Sequence, residues 1–169
     1  MRADARRNRE LIVRAATRVF MAAGECVSME DIANAAGLGV GTLYRHFPDR
    51  AALLALIGCD VVSRLTVSLE AAPGDLPRWD VLMGYVRESV QEPFAVLKSV
   101  PADDPVVAQP IARLHAVLLD VIKGAQAEGS VRADIDPQAV RDLLALVVCR
   151  PGASDDDALA RVVLAGLRA

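Results

Sequence analysis

Aromatic residues are scarce in this chain: three Phe, two Tyr and one Trp make up 4% of it. Cysteine is just as sparse. Three cysteines, an odd number and far apart, exclude a disulfide framework. The two histidines are isolated and there is no Cys-x-x-Cys, so no metal-ligand spacing is present. No glycine-rich phosphate loop of the mononucleotide or dinucleotide type occurs, and no catalytic constellation stands out. We therefore expect no metal, no cofactor and no enzyme. No uncharged apolar run approaches the ~18 residues of a membrane span. The N-terminus is charged and has no apolar core of a signal peptide. The expectation is a cytoplasmic protein with no membrane partner.

What is present is apolar and helical in character. The chain has 169 residues, of which 53% are hydrophobic and 24% charged. Mean hydropathy is +0.31, which excludes a disordered chain. Alanine occurs 29 times and β-branched runs are short, a composition that favours helix. Charge is unevenly spread. Residues 1–50 hold eight Arg and six acids, whereas residues 51–169 are net acidic and bring the total to −3. A basic end on an acidic body hints at an anionic partner for that end.

Hydrophobic spacing divides the chain into helices. Leu11, Ile12, Ala15, Ala16, Val19 and Phe20 form one apolar stripe and predict a helix over 6–23. Ser28, with Asp31 three residues on, reads as a near capping box starting a helix over 29–36. Gly37 stops it. A third, short helix runs from Val40 to just before Pro48. Two short helices joined by a tight turn with Gly37 and Gly39 have the spacing of a helix-turn-helix. On the third helix Leu43 and Phe47 face inward, and Val40, Gly41, Tyr44 and Arg45 share the neighbouring face. Asp49 caps a fourth helix over 50–71, with Leu54, Ile57, Val61, Leu65 and Leu69 as its stripe. Further helices are expected at 77–90, 93–99, 107–127, 137–149 and 154–168. Asp136-Pro137 marks one start, and Ser154 with Asp155 to Asp157 another. No alternating strand pattern or repeat is present.

The run Ser28-Met-Glu-Asp-Ile-Ala-Asn-Ala-Ala-Gly-Leu-Gly-Val-Gly-Thr-Leu-Tyr-Arg-His-Phe-Pro-Asp-Arg50 resembles the DNA-binding segment of the TetR family of repressors. The likeness extends over residues 6–55, and Gly41 to Pro48 is its most specific part. The stretch 126–134 is also similar to one common near the C-terminus of that family. The resemblance implies an all-α fold: a three-helix helix-turn-helix head at 1–50 and a helical ligand-binding and dimerising bundle at 51–169. It implies a homodimer that reads a palindromic operator in double-stranded DNA. It also implies a small-molecule effector that repositions the heads and releases the DNA.

Carried onto this sequence, the resemblance makes Tyr44 the leading DNA contact, through its hydroxyl to a phosphate. Thr42 and His46 match positions that touch the backbone, although on a helical wheel they lie off the Val40–Tyr44 face. Arg50 matches a basic position at the start of the fourth helix, and Ser28 is both cap and phosphate donor. Arg45 is a candidate for guanine or for phosphate. Val40 offers apolar contact alone, and Gly41 allows close approach. Gly39 stands where the family often has Ser, which removes one possible phosphate contact. Arg2, Arg6, Arg7 and Arg9 form a basic arm before the first helix, for which DNA contact and a solvated terminus stand as equal readings.

In the body, Trp79, Met83, Tyr85, Phe94, Leu97 and His115 are candidates for lining an effector pocket, against the plain alternative that they are core. Such a wall favours an apolar or amphipathic ligand. Val140, Leu143, Leu144, Val147, Leu159, Val162, Val163 and Leu167 are candidates for a four-helix dimer interface, against completing the monomer core. Cys59 and Cys149 lie in apolar runs and read as inert. Cys26, in the loop before the motif, is the one thiol with a case for redox chemistry. Two other functions stay open: a DNA-binding regulator without an effector, and a helical ligand-binding protein whose helix-turn-helix is structural.

Overall fold

The apolar stripe at 11–20 becomes the buried face of a 22-residue helix, α1 (Arg2–Ala23). The computed structural model describes residues 2–23, 27–93, 100–101 and 104–169, and the side chains of these from residue 4 onward. Ile12, Ala15, Ala16 and Phe20 are buried, while Leu11 sits at the exposed edge of the stripe. The helix starts four residues earlier than its apolar period predicts, so Arg6, Arg7 and Arg9 lie on α1 rather than on an arm preceding it. Arg6 and Glu10, at i and i+4, pair across one turn at 3.4 Å.

Two short helices follow, α2 (Met29–Ala36) and α3 (Val40–His46). Ser28 caps α2 in a full capping box. Its hydroxyl accepts from the Asp31 amide at 3.1 Å, and Asp31 Oδ2 accepts from the Ser28 amide at 3.0 Å. Replacing Ser28 by alanine is expected to cost about 1 kcal/mol, read as a fall in the denaturant midpoint at unchanged slope. Gly37 closes α2 at φ 68°, ψ 30°, a left-handed conformation that a side chain would strain. The Gly37 and Leu38 amides donate to the last carbonyls of α2, those of Asn34 and Ala33. Ile32 and Ala33 of α2, Leu43 of α3 and Phe47 then meet the buried face of α1 in one core.

The rest of the chain packs around α4 (Arg50–Glu70). Its N-cap is Asp49, which accepts from the Ala52 amide at 2.8 Å. Every residue of the expected stripe, Leu54, Ile57, Val61, Leu65 and Leu69, is buried. By length and composition α4 also suffices to cross a membrane, but 56% of that stretch is buried inside the fold. Asp60 and Arg64 interrupt it and pair at 3.5 Å. Its partners are α5 (Arg78–Val90) and α6 (Ala108–Ala127), and α7 (Pro137–Val148) and α8 (Ala158–Leu167) follow. α6 packs on α4, α5 and α7, and α7 on α8. The helix expected at 93–99 lies almost wholly outside the described residues.

Two local details depart from expectation. The cap of α8 is Asp157 rather than Ser154. Its carboxylate accepts from the Ala160 amide at 3.0 Å, the Ser154 amide at 3.1 Å and the Arg150 guanidinium. These donors, Arg150 first, hold Asp157 well below the ordinary carboxylate range. A depressed folded pKa places this stabilisation above the unfolded value of about 3.9 and removes it as pH falls through the folded one. Asp157→Asn is therefore expected to lower the melting temperature at pH 6 and to narrow its gap from wild type as the medium is acidified. The second detail is an antiparallel bridge between Val131 and Arg168 that no strand pattern foretold. The Arg132 amide donates to the Leu167 carbonyl at 3.0 Å, fastening the chain end to the 130–132 segment. There the Arg168 guanidinium lies 5.1 Å from the centre of the Trp79 ring.

Candidate nucleic-acid interface

α3 is short, and its placement follows from its buried side. Leu43 is 0% exposed and Phe47 2%, so the helix is pinned by one edge to α1 and α2. The opposite edge is left in solvent. Val40 is 40% exposed and Tyr44 49%, and Gly41 and Arg45 are exposed beside them. Positions 40, 41, 44 and 45 thus form one outward row with helical spacing. Gly39 opens the helix without a side-chain cap bond; the Thr42 amide donates to its carbonyl at 2.8 Å.

Arg45 is held along its own helix. Its Nε donates to the Gly41 carbonyl at 3.3 Å and its terminal nitrogen to Thr42 Oγ1 at 3.0 Å. Thr42, half-buried, therefore orients Arg45. His46 is also half-buried. The Ser28 hydroxyl, expected as a phosphate donor, is engaged within the capping box and donates to Asp31 Oδ2 at 2.6 Å. These bonds, that from the hydroxyl first, keep Asp31 below the usual carboxylate range, so it remains an anion at the start of α2.

Arg50, expected against a phosphate, is engaged within the chain. It is half-buried, donates to the Val27 carbonyl and lies 5.1 Å from the centre of the Phe20 ring. In this arrangement it ties the start of α4 to α1 and to the chain before α2. Arg9 likewise stacks on Phe47, 5.0 Å from the ring centre. Arg18, not singled out in the sequence, donates to the Ala35 carbonyl at 3.1 Å and clasps the end of α2. It lies on the polar side of α1, where sequence alone does not tell a clasp from a solvated charge.

This arrangement has a known counterpart. The family model for bacterial regulatory proteins of the TetR family matches residues 12–57. A helix-turn-helix-type transcriptional regulator of Staphylococcus aureus is 48% identical over 54 residues, 31% of this chain and 29% of that protein. The matched stretch thus spans less than a third of that relative. A TetR transcriptional regulator from Streptomyces coelicolor is 30% identical over 95% of this chain and 98% of its own, with a TM-score of 0.63. The chain belongs to the TetR family. A TetR regulatory protein from Mycobacterium vanbaalenii is similar over 99% of both chains, at 29% identity and a TM-score of 0.62. α1–α3 and the start of α4 correspond to the helix-turn-helix segment that the family model covers, and α4–α8 follow the all-helical body of that fold.

The body residues separate once packing is known. Trp79 and Tyr85 are buried and Met83 half-buried. Phe94 and Leu97 lie outside the described residues. Tyr85 borders a groove between α4 and α5, and its hydroxyl is pushed well above the ordinary phenol range, mainly by burial. His115 is neither a core residue nor turned to the interior. It is exposed on α6 near the Arg141–Asp142 pair, because its turn of the helix faces away from the Leu114–Leu118 edge. Partial desolvation, then Arg141, lowers its pKa.

The interface candidates split in the same way. Val140, Leu144, Val147 and Leu167 are 0–2% exposed in the single chain, so they complete its own core and are not open to a partner. Leu159 at 40% and Val162 at 72% are exposed, and Leu143 and Val163 are half-buried at the edge. Leu146, 60% exposed on α7, belongs with them. It escaped notice because it lies one position off the stripe that predicted the interface. Cys59 and Cys149 are half-buried, and Cys26 lies outside the described residues.

Proposed function

We propose that this TetR-family chain is a homodimeric repressor that occupies a palindromic operator and is released by a small apolar or amphipathic effector bound in α4–α8. The observation that carries the DNA reading is the outward row Val40, Gly41, Tyr44 and Arg45, standing over a buried Leu43 and Phe47. An α-helix presented in this way fits the major groove, where Arg45 reads a base edge and Tyr44 fixes the register on a phosphate. A twofold dimer must then set two α3 helices ~34–36 Å apart or a multiple of it. The exposed Leu146, Leu159 and Val162 supply the surface for that pairing. The predominantly apolar interior of the body, with Thr66, Ser89 and the Tyr85 hydroxyl as its buried polar groups, supports an effector with few polar groups.

The test is binding of purified protein to the DNA upstream of its own coding region, with scrambled DNA as control, across a salt series. Specific, salt-sensitive binding at two chains per site or a multiple is expected. Tyr44→Ala should weaken binding to all sequences with the salt slope unchanged, because a neutral hydroxyl on a phosphate releases no counterion. Arg45→Ala should relax preference at one base position, at a cost of about 1–3 kcal/mol. Arg50→Ala should act first on stability, given its bond to Val27. Equal affinity for operator and scrambled DNA, there and after selection from random sequence, would overturn the reading.

A further inference from the structure

A cleft of about 360 Å³ opens between α1 and the middle of α4, away from the α3 row and from the α7–α8 surface. Its apolar part is Val13 and Leu56, both half-buried, and its charged edge carries Arg6, Arg9 and Arg14. Of the two acids there, Glu10 pairs with Arg6 at 3.4 Å, and Asp60 lies 3.5 Å from Arg64, which it shares with Glu92 at 2.8 Å. Arg9 lies over Phe47. Arg14 is exposed at the cleft and has no hydrogen bond or ion pair among the described residues.

We propose that this cleft binds a small amphipathic organic anion, with its acid group on Arg14 and its apolar part on Val13 and Leu56. Three guanidiniums against two carboxylates leave the lining one positive charge in excess, and Arg14 is the guanidinium not engaged by a neighbour, so the site favours a single negative charge. A guanidinium offers a carboxylate two parallel hydrogen bonds in a fixed plane. The stems of the arginines extend the apolar wall, because long cationic side chains lay their methylenes along such surfaces. The volume is at the lower end of the roughly 300–1,000 Å³ of small-molecule sites. α1 packs mainly on α2 and touches α3 and α4 alike, whereas α4 packs mainly on α6 and α5. An occupant touching both Val13 and Leu56 therefore bridges the head and the body. This site is separate from an effector site inside the body and does not depend on it.

The experiment uses the full chain without DNA and octanoate as the probe, with octanol and octylammonium as neutral and cationic counterparts. Calorimetry gives the affinity, and methyl resonances of Val13 and Leu56 give the location. One octanoate per chain should bind and shift both methyl signals. Arg14→Gln should weaken it about tenfold or more, and Arg14→Lys, which keeps the charge but not the planar pair of bonds, should recover part of the loss. Arg14 is exposed, so these variants fold. Octanol binding as tightly as octanoate, undiminished binding to Arg14→Gln, or no binding at millimolar octanoate would each overturn the proposal. Methyl shifts confined to α5–α7 would also overturn it, while leaving the regulator reading intact.

Discussion

Phe47→Ala is expected to lower the stability of the head by about 3–5 kcal/mol, the range for emptying a buried phenylalanine site. The ring is 2% exposed, belongs to the same core as Leu43 and Ile32, and supports Arg9 on its outer side. Its amide ends α3 with a 2.9 Å bond to the Leu43 carbonyl, so the cavity opens at the point where α3 is anchored. A chain of this length should lose roughly 6–20 °C of melting temperature. DNA binding should fall with it, because the outward row keeps its direction only while the inner edge is packed. Tyr44→Ala supplies the contrast: it should lose DNA affinity at an unchanged melting temperature. A Phe47→Ala protein that melts within a degree or two of wild type would show that the head is not held by this core.

The second large effect concerns the α7–α8 surface. Leu146→Asp combined with Val162→Asp is expected to convert a dimer into a species of 18.0 kDa, the mass of one chain, in light scattering. Both side chains are more than half exposed on the single chain, so the substitutions leave its core untouched. In a pairing of two such surfaces each would bury a charge without a partner, which is strongly destabilising. Operator affinity should fall by about two orders of magnitude or more, since the second head would no longer be delivered at high effective concentration. Leu144→Ala is the counter-experiment. Leu144 is 1% exposed within the chain, so this variant should lower folding stability by about 2–5 kcal/mol and act on dimerisation only through the fold. A double variant that remains dimeric would place the interface elsewhere.

Much of the head was legible because its determinants are local. The capping box at Ser28 and Asp31, the left-handed Gly37 and the i, i+4 pair Leu43 and Phe47 are read within a few residues of one another. They suffice to set α2, the turn and α3, and hence which side of α3 faces out. The stripe of α4 was equally plain, since a period of 3.6 residues needs no knowledge of its partner. The same reasoning placed Asp49 and Asp136 as caps. It misassigned the cap of α8 because Ser154 and Asp157 are both good candidates. Only the return of Arg150 onto the Asp157 carboxylate distinguishes them.

What the amino-acid order determined by itself is therefore most of the helices, the caps at Ser28, Asp49 and Asp136, and the outward row of α3. Tertiary structure alone decided what each remaining surface faces. Arg50, Arg9 and Arg18 have the same charge in the sequence as any free arginine. Their bonds to Val27, the Phe47 ring and Ala35 arise from segments brought together by folding. Val140 and Val162 are both apolar residues of C-terminal helices, yet one is sealed in the core and the other is 72% exposed. Periodicity reports that a helix has an apolar side, but which part of that side is covered depends on the angle at which its neighbours cross it. That angle is set by the packing of the whole body.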